Sequence, residues 1–289
     1  MDGGRVRARP GVFADAGIDA FPPNAYIPRM KNSVRFVAAF LACVSLIAGS
    51  RAFGQGTSGE GATFEPRFLI DMPTAGILPD GTLSLDLDFY HSGGLLLGVG
   101  VGLFNRLDVG LSYGGVGVIG TESPSWNNSP GFHLKVRLIE ESVVLPAIAL
   151  GFDTQGKEEY VDPPGRYLIK SRGFYAVVSK NYKAMGSLSL HGGVNYSLER
   201  GDDDTDPDFF VGIEKTIGTS VSAVGEYDLG LNDTNQDALG RGKGYLNIGL
   251  RASLGKGFIL SLNLKDLLRN QQTNSIGNRV ITIEFLQPL

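Results

Sequence analysis

Residues 110–114 read GLSYG, the G-x-S-x-G spacing in which a serine nucleophile occupies a strained strand-to-helix turn. That chemistry needs the helix to expose the hydroxyl. Ser112 instead continues an alternation of Leu107, Val109, Leu111 and Tyr113 against Asp108 and Gly110, with no helical stripe after it. The spacing therefore predicts a strand and no nucleophile. Residues 115–120, GVGVIG, fit G-x-G-x-x-G, but that fingerprint meets phosphate only at a following helix N-terminus. A loop-like TESPSWNNSPG follows instead. Two acidic runs suggest calcium. DDDTDPD from Asp202 places Pro207 and Ile213, and DTNQDA from Asp233 places Ala238 and Gly244, where a calcium loop needs its glycine and bidentate glutamate. Both runs read as solvated acidic loops. His91, His133 and His191 lie in separate segments without metal-ligand spacing. Neither a metal, a cofactor nor an enzyme is expected.

The elements that carry these residues follow from composition and period. The chain has 289 residues, a net charge of −4 and 41 glycines, a glycine usage well above the ordinary. Lys31 and Arg35 lead into an apolar run over 36–48 that closes at the small-x-small residues Ala52, Phe53 and Gly54. This is the pattern of a cleaved secretory signal over 30–54, too short for a membrane helix. Residues 1–29 then read as a leader or mis-assigned start, with Met30 the true one. Cys43, the single cysteine, falls inside the signal, so no disulfide or thiol chemistry follows. Residues 1–54 hold seven Lys/Arg and three Asp/Glu, which takes the mature chain from −4 to −8 and argues against nucleic acid as a partner.

After residue 54 the recurring period is two. Leu83, Leu85, Leu87 and Phe89 alternate with Ser84, Asp86, Asp88 and Tyr90, and comparable runs recur over 106–113, 132–137, 244–254 and 281–285. Segments near 83, 95, 106, 132, 144, 173, 187, 209, 220, 244, 258 and 279 give about twelve strands of the length that crosses a bilayer at a tilt. Connections alternate short and long from the second strand on, as periplasmic turns and extracellular loops do. The tight YHSGG at 90–94 is the exception. The fold expected is all-β: an antiparallel transmembrane β-barrel over 82–289, both termini periplasmic, with 55–81 a periplasmic N-terminal segment. A soluble all-β domain is the competing architecture.

Charges on a lipid face are costly, about 2–4 kcal/mol for Arg or Lys near the midplane. The polar rows should therefore line the lumen with Asp86, Asp88, Asp108, His133, Lys135, Arg137, His191, Glu214, Glu226, Asp228, Arg251, Lys265 and Glu284. Phe89, Tyr113, Phe132, Phe152, Tyr196, Phe209 and Tyr227 fall at strand ends beside the long loops, and Phe258 and Phe285 mark the opposite rim. Such rows are the aromatic girdles of a membrane barrel. The charge-dense 153–166 reads as the longest outer loop, facing the medium. Whether the lumen charges leave a water-filled pore or pair and close it stays open.

The segments KVRLIEESVVLPAIALGFDTQG, YLIKSRGFYAVVSKNY, LHGGVNYSLE and DMPTAGILPDGTLSLDLDFY resemble a group of uncharacterised bacterial outer-membrane proteins. Over roughly 130–200 the chain is also similar to part of the YjbH exopolysaccharide-associated family. There a Pro-Ala strand, a Gly-x-Asp-x-x-Gly turn and a Tyr...Ser-Lys strand recur. Members of that family are longer, and DTQGKEEY here stands where they have a Gly-Thr-Gly run. The resemblance implies an outer-membrane location, lipid as the surrounding partner, and no catalytic residue. Function is then expected to be a passive channel or a component of envelope and exopolysaccharide export, with polysaccharide or small solutes as cargo. A non-conducting structural or adhesin barrel is the alternative, and a barrel hydrolase the third reading.

Overall fold

The structure, a computed structural model, describes residues 64–121, 123–272 and 278–289. The expected leader and signal, 1–54, lie outside the described residues. Fifteen strands are present among them: β1 (Thr82–Tyr90), β2 (Gly94–Leu103), β3 (Leu107–Val116), β4 (Ser125–Trp126), β5 (Gly131–Ile139), β6 (Ala147–Asp153), β7 (Lys157–Val161), β8 (Arg166–Ile169), β9 (Gly173–Lys183), β10 (Ser187–Tyr196), β11 (Asp208–Thr216), β12 (Val221–Asp228), β13 (Tyr245–Gly255), β14 (Phe258–Lys265) and β15 (Asn278–Pro288).

Twelve of these form one closed antiparallel sheet, in the order β2-β1-β15-β14-β13-β12-β11-β10-β9-β6-β5-β3, with β3 returning to β2. Closure removes every free edge, which is how an all-β chain avoids exposing unpaired backbone. Strand β4 adds two residues to the end of β3, while β7 and β8 form a separate hairpin. Thr82 pairs with Pro288, so the barrel's first and last residues lie together at the end carrying the short connections. The β1–β2 turn joins the long-connection end: Gly117 and Ile119 donate backbone hydrogen bonds to the carbonyls of Ser92 and Gly93.

Alternation decides which row faces which side. Leu150, Leu250 and Leu262 are 46–52% exposed, whereas Ala149, Arg251 and Ser261 one residue away are under 5%. The apolar rows therefore form the outer surface and the polar rows the enclosed one, the inverse of a soluble barrel. Glycine makes room for inward aromatics: a Cβ on Gly151 would fall 2.1 Å from the Tyr175 ring, and one on Gly193 would fall 2.3 Å from Phe210. Tyr175 and Phe210 pack with Val177, Ala147 and Ala149 in an enclosed apolar cluster.

Two segments differ from the sequence reading. Of the 55–81 stretch, expected as a periplasmic segment ahead of the barrel, residues 64–78 run through its interior, and Pro79 and Asp80 are exposed. Residues 153–166, expected as a loop facing the medium, contribute β7 and the start of β8, and Glu158 and Arg166 are buried. In both, the backbone and charges find partners on strands far away in sequence, which period-two patterning does not register.

Candidate functional site

The interior is built around an N-terminal hairpin. Leu69 donates to the carbonyl of Met72 and Thr74 to that of Arg67, and Phe68 bridges to Pro73, so 67–74 turns back on itself. Its tip carries three backbone N–H groups that no sheet satisfies. Glu226 on β12 accepts all three, from Ile70 at 2.9 Å, Asp71 at 2.9 Å and Met72 at 3.1 Å. Charge-assisted bonds of this kind are about twice as strong as neutral ones.

The hairpin's other contacts come from around the barrel. Arg67 Nη2 is 2.5 Å from Asp86 on β1 and 3.6 Å from Glu284 on β15. Lys135 on β5, fully buried, donates to the carbonyls of Arg67 and Thr74. Arg137 donates to the carbonyl of Ala75 and pairs with Glu65. On β13, Arg251 donates to the carbonyls of Phe68 and Leu69 and pairs with Glu214 at 3.0 Å. Met72 and Ala75 join the apolar cluster on β6, β9 and β11, and Leu78 packs with Ile259 and Leu286 on β14 and β15. A segment that touches strands all around a closed sheet must run along its axis.

The long-loop end is closed by a second set of pairs. Arg166 Nη1 reaches Asp202 and, at 2.7 Å, Asp233; Lys170 Nζ is 2.7 Å from Asp202; Arg172 Nη1 is 2.7 Å from Asp228. Asp202, Asp204 and Asp233 are at most 3% exposed. The expectation of solvated acidic loops holds for Asp203, Asp206 and Asp237, which are exposed, but not for Asp202 and Asp233, which are counterions to cations from 166–172, nor for Asp204, whose carboxylate accepts the N–H groups of Asp206 and Thr234. Burial pushes against the charge of Asp202, but hydrogen bonds and charge from Lys170 and Arg166 prevail and hold its carboxyl below the ordinary range.

Lys265, at the end of β14, joins the two inserts. Its Nζ is 2.7 Å from Asp71 at the hairpin tip and 3.2 Å from Glu158 of β7. Glu158 also accepts from Gln271 and Asn278, at 2.7 and 2.6 Å. Asp88 accepts from Thr282 and is 3.7 Å from Lys157, and His133 Nδ1 is 3.3 Å from Asp153. Sequence reasoning named one side of most of these pairs. It missed Arg67, Asp71, Glu158, Arg166, Lys170 and Arg172, which lie in segments without alternation.

Serine and histidine meet in Ser179 Oγ and His191 Nδ1, 2.8 Å apart. Ser179 also accepts from the Ala75 N–H, and among the described residues His191 Nε2 has no hydrogen-bond partner. Through the Ala75 N–H this pair holds the hairpin. On the outer surface, Phe132, Phe152 and Phe174 form a row with centroids 6.5 and 4.7 Å apart, Tyr113 stacks on Trp126 at 5.8 Å, and Phe258 meets Phe285 at 5.0 Å. Phe174 and Trp126 extend the aromatic set read from the sequence.

A family model described as "Exopolysaccharide biosynthesis protein YbjH" matches residues 66–220, more than half of the chain. The chain belongs to the YjbH family. The match begins inside the N-terminal hairpin and runs through β11, well beyond the 130–200 stretch that carried the resemblance in sequence. No curated protein matches this YjbH-family chain. Among solved structures, the KdgM porin is similar with a TM-score of 0.44 and 9% identity, over 71% of this chain and 98% of that one. NanC porin gives 0.40 and 10% over 72% and 99%, and Omp33 of Acinetobacter baumannii 0.38 and 5% over 72% and 97%. No residue role is carried over from them.

Proposed function

We propose that this protein is a bacterial outer-membrane barrel that serves exopolysaccharide production as a closed channel, with residues 64–80 as its resident plug. The observation that carries the reading is the hairpin on the axis, bound through its backbone by Glu226, Lys135 and Arg251. Polar residues so placed satisfy a peptide inside the barrel where an open pore would leave them to water. The apolar outer rows and the aromatic rows at both rims fit a bilayer, and the short-turn end, where 82 and 288 meet, is then periplasmic. Polysaccharide or a small solute would pass when the hairpin withdraws.

An adhesin with acidic loops turned to the medium has Asp203, Asp206 and Asp237 exposed for it, but Asp202 and Asp233 of the same loops are held in buried ion pairs. The non-conducting structural barrel is the reading to set against the channel, favoured by how fully the interior charges are paired. Deleting the gene should lower surface polysaccharide, and restoring the full chain should recover it. A variant lacking 64–80 should in addition admit an antibiotic too bulky to cross the outer membrane. Unchanged polysaccharide in the deletion would end the proposed role, and an assembled but impermeable variant would leave the structural barrel.

A further inference from the structure

Exposed charge is unevenly spread over the long-connection end. Among the described residues, its exposed charged side chains between 153 and 237 are Asp162, Arg200, Asp203, Asp206 and Asp237, and between 241 and 279 they are Arg241, Lys243, Arg269 and Arg279. The first set is mainly acidic. The second is wholly basic, and no member of it forms an ion pair among the described residues. Two connections fold together to gather these cations. Asn270 Oδ1 accepts the backbone N–H of Arg241 at 3.1 Å and that of Lys243 at 2.7 Å, and Lys243 Nζ donates at 3.2 Å to the carbonyl of Leu268, the residue before Arg269. Arg241 Nη2 donates to the Gln272 carbonyl. Arg279 is the ladder partner of Leu264, which closely precedes Leu267 and Leu268. Neither Arg269 nor Arg279 uses its guanidinium on any group of the described residues.

The depth of the patch follows from the aromatic row beside it. Tyr227, in the outward row of β12, donates its hydroxyl to the Lys243 carbonyl at 2.8 Å. Leu267 donates its N–H to the carbonyl of Leu246, the ladder partner of Tyr227. Arg279 stands just beyond Ile281, the partner of Phe89, in the row of β15 that faces outward. Tyrosine rings of a membrane barrel sit at headgroup level, so the cations beside Tyr227 do as well. A lipid-facing arginine is costly at the midplane and tolerated only near the interface. Leu264, Leu267 and Leu268 beside the cations are 38–44% exposed. Cations at headgroup depth next to exposed leucines match an amphiphile with an anionic head and hydrocarbon chains. The guanidinium fork fits phosphate, and the flank on which Arg279 stands faces away from the passage a polymer would take.

We propose that this flank holds the phosphorylated glycolipid of the outer leaflet, its phosphates on Arg241, Lys243, Arg269 and Arg279 and an acyl chain along Leu264, Leu267 and Leu268. The inference goes beyond the plugged channel and rests on the outer-membrane orientation given above. The test is native mass spectrometry of the full protein in detergent, titrated with lipid A, with its monophosphoryl form, with phosphatidylethanolamine and with an oligomer of glucuronate. Lipid A should bind saturably and about tenfold tighter than the other three, the scale set by one or two charge-assisted bonds. Arg269→Gln with Arg279→Gln should remove that preference, and assembly is read from the heat-modifiability gel. Lys243→Gln should also weaken lipid A binding, and it carries the test if the double variant fails to assemble. Arg200→Gln, at the acidic side of the same end, should bind as wild type. No saturable binding, equal affinity for the monophosphoryl form, full binding by an assembled double variant, an equal loss in Arg200→Gln, or tighter binding of the glucuronate oligomer would overturn the proposal. Since the measurement needs neither transport nor conductance, those results leave the plug untouched, and unchanged polysaccharide output would leave the lipid site untouched.

Discussion

Lys265 holds two otherwise separate inserts with one ammonium group. Removing one member of a buried ion pair costs about 3–5 kcal/mol, mostly from the charge left without a partner, and here two carboxylates, Asp71 and Glu158, would lose it. Lys265→Met should therefore lower the temperature at which the barrel unfolds on a heat-modifiability gel and speed protease cleavage near both residues 71 and 158. A melting temperature equal to wild type would show that the triad is not coupled. Asp202 supplies a pH signature at the other end of the barrel. Its folded carboxyl titrates below the ordinary range, so its contribution is complete above the unfolded value near pH 4 and disappears as pH falls through the folded one. Loops 197–207 and 229–244 should stay protease-resistant at neutral pH and open in acid below about pH 4; Asp202→Asn should open them at neutral pH already. That Lys265 faces inward was legible from its row, Leu260, Leu262 and Leu264 against Ser261, Asn263 and Lys265. Its partners were not, since 71 and 158 lie far from it along the chain.

At the scale of elements, the strands were readable and the inserts were not, for one physical reason. A strand of a membrane barrel has lipid on one side and a polar interior on the other, so every second residue declares its side. The starts expected near 83, 95, 132, 173, 187, 209, 220, 244, 258 and 279 agree with β1, β2, β5, β9, β10, β11, β12, β13, β14 and β15 to within one residue. A hairpin inside the barrel has the same polar surroundings on all sides and no such alternation. Residues 55–81 therefore read as a periplasmic segment ahead of the barrel, and 153–166 as an outer loop. Thiol accessibility separates these placements. In a chain starting at residue 55, which has no native cysteine, Ala75→Cys should resist a water-soluble maleimide, because Ala75 is 1% exposed. Met185→Cys, at a fully exposed turn, should react at once. Equal labelling of the two would place the N-terminal segment outside the barrel.

The whole molecule is a closed sheet whose inner surface is matched to its own chain. Glu226, Arg251 and Lys135 satisfy peptide groups along the hairpin, Met72 and Ala75 fill the apolar patch that Tyr175 and Phe210 define, and Arg166 and Lys170 draw three long connections together over the far end. Composition and period established the barrel and the direction of its faces; the pairing inside depends on contacts across it that only three dimensions reveal. The central claim is that residues 64–80 close the passage, and single-channel conductance in a planar bilayer tests it most directly. The full protein should insert without resolvable current steps, and the chain lacking 64–80, or Glu226→Ala with Arg251→Ala if the deletion does not assemble, should conduct in discrete steps. Steps of equal size from the full protein and from the plug-free variant would contradict the account.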